Sequence, residues 1–330
     1  MKVILSKIFE NQKLTNAEAQ ALMSAIAEGQ CNEAQIAAIL TVFILRGIGV
    51  EELRGFRDAL LERCIPFDLE GREAIDLCGT GGDAKNTFNI STLASFVVAG
   101  AGCEVVKHGN YGVSSVSGSS NMLEHFGYRF SNEADTLRRQ LDRAGICFLH
   151  APLFHPAMKS VGPVRRQLGV KTLFNMLGPI VNPAQPPYQL TGVFNLELAR
   201  TYQYLYRDTG KQFIVLHSLD GYDEFSMTGP AKYISNSEEK IIAPEHFGLR
   251  RLTQADLYGG ETVEASAKIF MHVLENNGTA AQNQVVVANA GLAIHCLQPA
   301  MSVADCIETA RESLVSGRAL NKFAKLIEVS

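Results

Sequence analysis

The chain has 330 residues, which suits one large domain or a large domain with a smaller one. Hydrophobic residues make up 46% and charged residues 19%, the composition of a folded globular protein and not of a disordered one. The net charge is -4, whereas a dedicated nucleic-acid binder usually carries a basic excess, so we expect no nucleic-acid partner. No apolar run approaches the roughly 18 residues needed to span a bilayer, so we expect no membrane partner either.

The N-terminus and the cysteines indicate a cytoplasmic protein. The first fourteen residues lack a long apolar core followed by a small-residue cleavage site, so they indicate a first helix and not a signal peptide. The 7 cysteines are scattered and form no CxxC pair. This pattern fits reduced cytosolic thiols better than a disulfide framework or a zinc site.

Residues 1–70 are predicted to form a small helical domain. Thr15 and Glu18 have the spacing of a capping box, which predicts a helix that ends near Glu28, before Gly29. Two further helices are expected at 34–46 and 51–63, separated by a glycine-rich break. The segment 36–45 is apolar on all sides and must be buried, either within its own domain or by a partner subunit, and the sequence favours neither alternative.

From residue 71 to 330 the pattern predicts a large α/β domain with a central, mostly parallel sheet. Short apolar runs alternate with glycine-rich turns and helical stretches, which is typical of parallel strands joined by helices. A segment near 160–187 is helical and then proline-rich, and we expect it to return to the helical domain. A buried helix is predicted at 285–296 and a single terminal amphipathic helix at 311–327.

The first chemistry-bearing segment follows the predicted strand AIDLC. Three glycines in four positions, in the sequence Gly-Thr-Gly-Gly-Asp at 79–83, leave backbone N–H groups open to phosphate oxygens. The loop reaches Asn-Ile-Ser-Thr at 89–92, where a helix begins and its free N–H groups favour an anion. A plain tight turn is the alternative for the glycines alone. The GKS/T sequence of a P-loop and the GxGxxG pattern are absent.

Three other segments carry candidate ligands. Lys107–Ser115 and the following serines combine a cation, glycines and hydroxyls, which suits a phosphate group, although a flexible Ser/Gly loop is the alternative. The acidic turn DGYDE at 220–224 follows an apolar strand and could hold Mg²⁺ or be a solvated turn. Arg165 or Arg166 could hold a carboxylate in bidentate fashion, or the two could be a surface basic pair.

Together these motifs resemble the anthranilate phosphoribosyltransferase family. GTGGD, NIST, KHGN, VSS, PVRRQLGVKTLFNMLGPIVNP and DGYDE occur in the order and spacing of that family, and the resemblance covers nearly the whole chain. It implies a helical domain joined to an α/β domain and a homodimer formed through the helical domains. It also implies transfer of the phosphoribosyl group of phosphoribosyl diphosphate to anthranilate, with two Mg²⁺ ions.

The resemblance also implies roles for individual residues. Ser91 would bind one Mg²⁺, and Asp223 with Glu224 the second. Gly79, Asn110 and Arg165 would bind anthranilate, with His108 and His155 along its route. The sugar diphosphate would be bound by a larger set: Gly79, Gly82, Asp83, Thr87, Asn89, Ile90, Ser91, Thr92, Lys107, His108, Gly109, Asn110, Tyr111, Gly112, Val113, Ser114, Ser115 and Ser119.

Two positions depart from the family pattern. The family commonly has Arg where this chain has Tyr111, and Asp where this chain has Asn121. Both changes remove charge near the phosphate-binding segment. Two other functions are compatible with the fold: a non-enzymatic paralogue that binds nucleic acid, and a pyrimidine-nucleoside phosphorylase. Neither explains GTGGD, NIST and DGYDE together.

Overall fold

The computed structural model describes residues 2–112 and 116–330. The chain divides into two compact units. The helical unit contains the chain up to Phe67 together with Ala151–Gln185, and the α/β unit contains Asp68–His150 and Pro186–Ser330. The sequence placed the first boundary near residue 70 and the returning segment near 160–187, whereas the segment grouped with the N-terminal helices begins at Ala151.

Fifteen α-helices lie in the described chain, several of them joined by short 3₁₀ turns. The helices are α1 Lys2–Phe9, α2 Asn16–Ala27, α3 Glu33–Arg46, α4 Val50–Glu62, α5 Ile90–Gly100, α6 Ser119–His125, α7 Ala134–Ala144, α8 Ala151–Phe154, α9 Gly162–Leu168, α10 Phe174–Leu177, α11 Leu196–Arg207, α12 Val263–Leu274, α13 Ala280–Leu297, α14 Val303–Val315 and α15 Arg318–Glu328. None of these helices is both long and apolar enough to cross a membrane.

Seven strands form one sheet. The strands are β1 Ala74–Gly79, β2 Glu104–Gly109, β3 Ile146–His150, β4 Tyr188–Gly192, β5 Gln212–Ser218, β6 Ala231–Ser235 and β7 Glu239–Ile242. Their order is β3-β2-β1-β4-β5-β6-β7, with the first five parallel and the last two antiparallel. The predicted fold class, a small helical domain with a large α/β domain and a mostly parallel sheet, is confirmed.

The helical unit begins its second helix with the predicted capping box. The Thr15 hydroxyl accepts a hydrogen bond from the Glu18 amide at 3.3 Å, and the Glu18 carboxylate accepts one from the Thr15 amide at 2.8 Å. Each side chain thereby satisfies an N–H group that the helix itself leaves unpaired. A second box, Asn32 with Gln35, begins α3.

A buried carboxylate links two helices of this unit to the loop before α2. Glu52 on α4 pairs with Arg46 on α3 at 2.6 Å and accepts the Leu14 amide at 2.8 Å. Burial alone would raise its pKa, but the hydrogen bonds from Arg46, Leu14 and Gly49 hold the pKa of Glu52 below its ordinary value. The charge is therefore retained because its partners replace water.

Helix α3 is buried on one side only. Phe43 is packed inside the unit, whereas Leu45 is 81% exposed and Ile44 is 44% exposed. Helix α1, which packs against α3, exposes Val3 and Phe9. Within the described chain, burial inside its own unit therefore accounts for only part of this apolar helix.

The core of the α/β unit lies between the sheet and its helices. Helix α13 packs against α5 and α14 and is buried along most of its length, as predicted for residues 285–296. The prediction of a single terminal helix at 311–327 is wrong. The chain forms α14 and α15, separated at Gly317, whose φ of 75° is favourable only for glycine. The apolar spacing continues across the break, so it did not reveal the turn.

Candidate active site

The site lies where the strand order reverses. The chain runs from β1 outward to β2 and β3, and then returns to place β4 on the other side of β1. Crevices outside the carboxyl ends of parallel strands form at such a switch point. The two central strands end here in register, with Gly79 of β1 paired to Gly192 of β4.

Both strands end in glycine because an acidic residue occupies the adjacent space. A Cβ atom built on Gly192 would overlap the Asp223 carbonyl, and one built on Gly79 would overlap the Asp223 carboxylate. The turn after β5 can therefore approach the ends of β1 and β4 directly. The Asp223 carboxylate accepts the Gly81 amide at 2.6 Å, which joins the acidic turn to the glycine loop.

The glycine loop leads into the N-terminus of α5. Gly81 and Gly82 have φ values of 66° and 76°, conformations that glycine adopts without strain. Asn89 precedes α5, but its side chain makes no capping hydrogen bond, and its Oδ1 atom has no partner among the described residues. The Ser91 amide instead donates to the Glu224 carboxylate. The helix N-terminus and the acidic turn thus meet at one point.

The remaining residues of this loop are held by a distant segment. The Thr87 backbone bridges to Tyr258, and the Asn86 side chain donates to the Gly260 carbonyl at 2.7 Å. Asp83 accepts the Lys85 amide at 3.0 Å. Gly82, Ile90 and Thr92 are buried. The predicted residues between 79 and 92 therefore lie in one continuous segment that joins β1 to α5 and is held in place by these contacts.

The two carboxylates have little compensating positive charge. Burial, with repulsion from Asp83, raises the pKa of Asp223 to about 7. Burial and repulsion from Asp223 and Asp83 also raise the pKa of Glu224 well above its ordinary value. Lys107 is the cation that acts on Glu224. Such a cluster of hard oxygen ligands is stabilised when a cation binds.

These side chains fit a magnesium site completed by a substrate. Asp223 and Glu224 line a cavity of about 10 Å³ whose other walls include Gly79, Ser91 and Asn289. No group of three His, Cys, Asp or Glu side chains suited to a metal occurs within 2–112 and 116–330. Mg²⁺ commonly uses one or two carboxylates with water and substrate phosphates, so a carboxylate pair beside an amide-rich loop is the expected form of its site.

Lys107 does not point into open solvent. It is 2% exposed on β2, and its ammonium group donates to the Leu77 carbonyl of β1. Burial lowers its pKa, while Asp76 and Glu224 favour the charged form. The neighbouring His108 is also buried, and its amide donates to Asp76 at 3.2 Å. Lys107 therefore supplies positive charge from beneath the carboxylates.

The chain after β2 is less buried. Gly109 ends the strand, while Asn110 and Tyr111 are exposed. The Asn110 carbonyl accepts the Ser119 hydroxyl at 3.4 Å. Gly112 is bound through its amide to Asn121 at 2.8 Å. Val113, Ser114 and Ser115 lie outside the described residues, so their predicted contacts are not placed.

Arg165 and His155 belong to the helical unit. Arg165 on α9 lies over the Phe174 ring at 5.5 Å, and burial lowers its pKa. Its guanidinium has no ion-pair partner among residues 2–112 and 116–330. Its neighbour Arg166 is exposed. His155 is buried, with its Nε2 atom 2.9 Å from the Val181 carbonyl oxygen.

Asn289 is a site residue that the sequence reasoning missed. Its Nδ2 atom donates to the Phe225 carbonyl at 2.9 Å, and its Oδ1 atom accepts the Phe225 amide at 3.1 Å. This pair of bonds fixes the residue directly after Glu224. A buried asparagine in the otherwise apolar run VVVANAGLAI was the available signal, because a buried amide needs partners.

The chain matches two family models. The α/β domain of a glycosyl transferase family matches residues 71–320, and the helical bundle domain of a glycosyl transferase family matches residues 2–64. The chain thus has the two domains of a glycosyl transferase family.

Similar proteins narrow this class. A relative from Flavobacterium johnsoniae, an anthranilate phosphoribosyltransferase, is 57% identical over 330 residues, covering 100% of both chains. The crystal structure of an anthranilate phosphoribosyltransferase from Thermus thermophilus is 31% identical, with a TM-score of 0.91, covering 99% of this chain and 98% of that one. The enzyme from Saccharomyces cerevisiae in complex with PRPP and Mg is similar in fold, with 24% identity, a TM-score of 0.91 and coverage of 99% and 96%. The chain belongs to the anthranilate phosphoribosyltransferase family.

The Asn289 contacts lead to a stability prediction. Replacing Asn289 with Leu leaves the Phe225 amide and carbonyl buried without partners, so we expect a loss of about 2–4 kcal/mol in the free energy of unfolding. Asn283→Leu, on the same helix, is the matched control and should cost less than about 1 kcal/mol. Urea unfolding measures both, and equal losses would contradict the assigned role of Asn289.

Proposed function

We propose that the protein transfers the phosphoribosyl group of 5-phosphoribosyl 1-diphosphate to the amine of anthranilate. The products are N-(5-phosphoribosyl)anthranilate and diphosphate, in tryptophan biosynthesis. The observation that carries the proposal is the meeting of the glycine loop, the N-terminus of α5 and the Asp223–Glu224 pair at one switch point. Relatives that share the whole length of the chain are anthranilate phosphoribosyltransferases. A cytoplasmic location stays a prediction.

The α/β unit is proposed to bind the sugar diphosphate. Within its residues 79–92, the Thr80 hydroxyl and the Asn89 Oδ1 atom are buried without partners among the described residues. Such polar groups are stabilised when a bound ligand supplies the missing hydrogen bonds. Residues 107–112 and Ser119 would extend the binding surface, with Val113–Ser115 completing the predicted segment.

Asp223, Glu224 and Ser91 are proposed to hold two magnesium ions together with the substrate phosphates. The ions would supply positive charge to the departing diphosphate. The protein's own contribution is to keep the two carboxylates close together, with the Lys107 ammonium acting on Glu224. Two close, desolvated carboxylates repel each other, so their arrangement favours cation binding.

Lys107 is proposed to act indirectly. Its ammonium group lies under the site and not on its surface, and its charge favours ionised Glu224. We therefore assign it the role of keeping the carboxylate charged, in place of the direct phosphate contact that the resemblance implies.

Arg165 is proposed to bind the anthranilate carboxylate, with Asn110 and Gly79 beside the acceptor and His108 and His155 in less direct roles. A planar guanidinium matches a carboxylate in bidentate geometry. The absence of an ion-pair partner for Arg165 within residues 2–112 and 116–330 leaves it available for this contact, and the Phe174 ring limits its movement.

The reaction breaks the bond between ribose C1 and the diphosphate oxygen and forms a bond between C1 and the amine nitrogen. The transition state resembles an oxocarbenium ion, as in glycoside chemistry. The aromatic amine already has a lone pair, so no strong general base is required before attack. The amine proton passes to water or to the departing diphosphate as the new bond forms. Loop amides that donate to the leaving group stabilise its growing charge, and fixed substrate positions supply the rest.

A fluorescence assay tests the function. Loss of anthranilate fluorescence should require both phosphoribosyl diphosphate and Mg²⁺, and omission of either should abolish it. Phosphate-dependent cleavage of thymidine or uridine, with no loss of anthranilate, would instead support a nucleoside phosphorylase. Salt-sensitive binding of single-stranded nucleic acid without turnover would support the non-enzymatic paralogue.

The carboxylates generate a prediction about magnesium. Asp223→Asn and Glu224→Gln each remove a charged ligand, so the Mg²⁺ concentration for half-maximal activity should rise by roughly tenfold or more. Asp220→Asn is the matched control, because this exposed carboxylate of the same turn accepts the Thr228 hydroxyl. Magnesium titrations of activity that match the wild type would exclude Asp223 and Glu224 as ligands.

Arg165 generates a prediction about substrate preference. Arg165→Ala should raise KM for anthranilate by about 10- to 100-fold, as expected for a lost charged hydrogen bond, with a much smaller change for the sugar diphosphate. Arg166→Ala, at the exposed neighbouring position, should leave both values near wild type. Equal increases for both substrates with Arg165→Ala would rule out a carboxylate contact.

We propose a homodimer formed through the helical unit. The support is the apolar surface of α1 and α3, where Val3, Phe9 and Leu45 are 80%, 54% and 81% exposed. Isolated monomers seldom leave several large apolar side chains of neighbouring helices in water.

The dimer is tested with a charge substitution. Leu45→Glu places a carboxylate in the proposed interface and should convert dimers to monomers at micromolar concentration. Val315→Glu, at a position 60% exposed in the α/β unit, is the control and should keep the wild-type mass. Sedimentation equilibrium measures both, and a Leu45→Glu dimer of undiminished affinity would contradict the proposed surface.

A further inference from the structure

Tyr111, at one of the two departures from the family pattern, is in contact with a buried histidine. Its ring meets the His150 ring edge to face, with centroids 5.0 Å apart and an interplanar angle of 82°. His150 in turn stacks on Phe130, with centroids 4.2 Å apart and an angle of 18°. The Tyr111 hydroxyl donates to Glu124 at 3.2 Å. Tyr111 is 38% exposed, yet these contacts fix its orientation.

His150 is also connected, through Ser120, to the backbone of Asn110, the residue before Tyr111. Its Nδ1 atom lies 2.9 Å from the Ser120 hydroxyl. The Ser120 amide donates to the Asn110 carbonyl at 3.2 Å. His150 and Ser120 are both buried, with exposures of 5% and 0%. A single histidine thus links the ring of Tyr111 to the residue that holds Asn110.

Asn121, the second departure from the family pattern, is hydrogen-bonded to the same segment. The Asn121 Oδ1 atom accepts the Gly112 amide at 2.8 Å and the Gly118 amide at 3.0 Å. Gly118 packs so closely that a Cβ atom there would overlap the Gly112 nitrogen and lie 2.8 Å from the Asn110 carbonyl oxygen. Asn110–Gly112 and Gly118–Asn121 are therefore held together by neutral contacts.

The histidine ring is uncharged under ordinary conditions. Burial lowers the pKa of His150 to about 4, and the opposing effect of the Glu124 carboxylate is smaller. Tyr111 also faces the ring, and burial and Glu124 raise its pKa, so it remains a neutral phenol. A neutral imidazole can stack on Phe130 and exchange a hydrogen bond with Ser120 without the cost of burying a charge.

We propose that Tyr111 and His150 are a positioning pair that holds Asn110–Gly112 in the conformation that binds the sugar diphosphate. The inference rests on the proposed function and adds two positioning residues to it. The segment has no regular secondary structure of its own, so ordering it at the moment of binding would cost conformational entropy. The aromatic contact orders the segment before the substrate binds, so less entropy is lost on binding and the affinity is higher.

A double-mutant cycle tests the pair. Tyr111→Ala, His150→Ala and the double variant are compared by kcat, by KM for each substrate and by melting temperature. Each single change should raise KM for phosphoribosyl diphosphate about 3- to 10-fold and KM for anthranilate less, because Asn110 is the one residue of the held segment assigned to both substrates. The double variant should be no worse than the poorer single one, because either change already breaks the contact.

Two further variants separate positioning from general stability. Tyr111→Phe keeps the ring and loses only the Glu124 hydrogen bond, so its KM for phosphoribosyl diphosphate should be much closer to the wild-type value than that of Tyr111→Ala. Tyr204→Ala, a tyrosine on α11 that is 41% exposed, should behave as the wild type. If His150→Ala does not fold, the comparison of Tyr111→Ala with Tyr111→Phe decides alone.

Several outcomes would overturn the pair. These are multiplied effects in the double variant, equal increases in both KM values, no effect of Tyr111→Ala, or a Tyr111→Phe variant as poor as Tyr111→Ala. A wild-type protein that consumes no anthranilate would refute the proposed function and not the pair. The same ranking of variants would then be sought in calorimetric binding of phosphoribosyl diphosphate with Mg²⁺.

Discussion

The candidate site depends on the close approach of the Asp223 backbone and carboxylate to the ends of β1 and β4. This approach is possible because both strands end in glycine, at Gly79 and Gly192. Any side chain at Gly192 would occupy the position of the Asp223 carbonyl. From this contact follow the hydrogen bond to the Gly81 amide and the position of Glu224 at the start of α5. Two absent side chains thus create the space in which the acidic turn and the glycine loop meet.

That geometry has an electrostatic consequence. The same packing that buries Asp223 and partly buries Glu224 also makes their charges costly, and Lys107 offsets only part of that cost. Removing water strengthens every electrostatic interaction in the site, including that with a bound cation. The backbone around the pair must therefore be held firmly. On one side, the Asn289 side chain is hydrogen-bonded to the Phe225 backbone. On the other side, the Ser218 hydroxyl donates to the Glu224 carbonyl at 2.6 Å.

The two departures from the family pattern illustrate how neutral contacts can stand in place of charge. Asn121 keeps the acceptor that two backbone amides require, so the loss of a carboxylate leaves those hydrogen bonds in place. Tyr111 contacts an imidazole and a carboxylate through its ring and its hydroxyl. The segment after β2 is thereby joined to α6 and β3 with no ion pair between Tyr111 and either element, so its position should depend little on ionic strength.

The sequence by itself determined the five parallel strands and the segments that carry the chemistry, but it did not predict β6 and β7. Periodicity and glycine loops predicted the parallel strands and the helix after NIST, and the capping box at Thr15 predicted the start of α2, because these signals are local. Only the tertiary structure decided where long-range partners lie: Gly192 beside Asp223, Lys107 beneath β1, Asn289 on Phe225 and His150 against Tyr111. Each of these joins residues far apart in the chain. The break at Gly317 was also missed, because the apolar spacing runs through it, although the Ser316-Gly317 pair is a local turn signal. Contacts of that kind depend on the order of strands in the sheet, which no local pattern encodes.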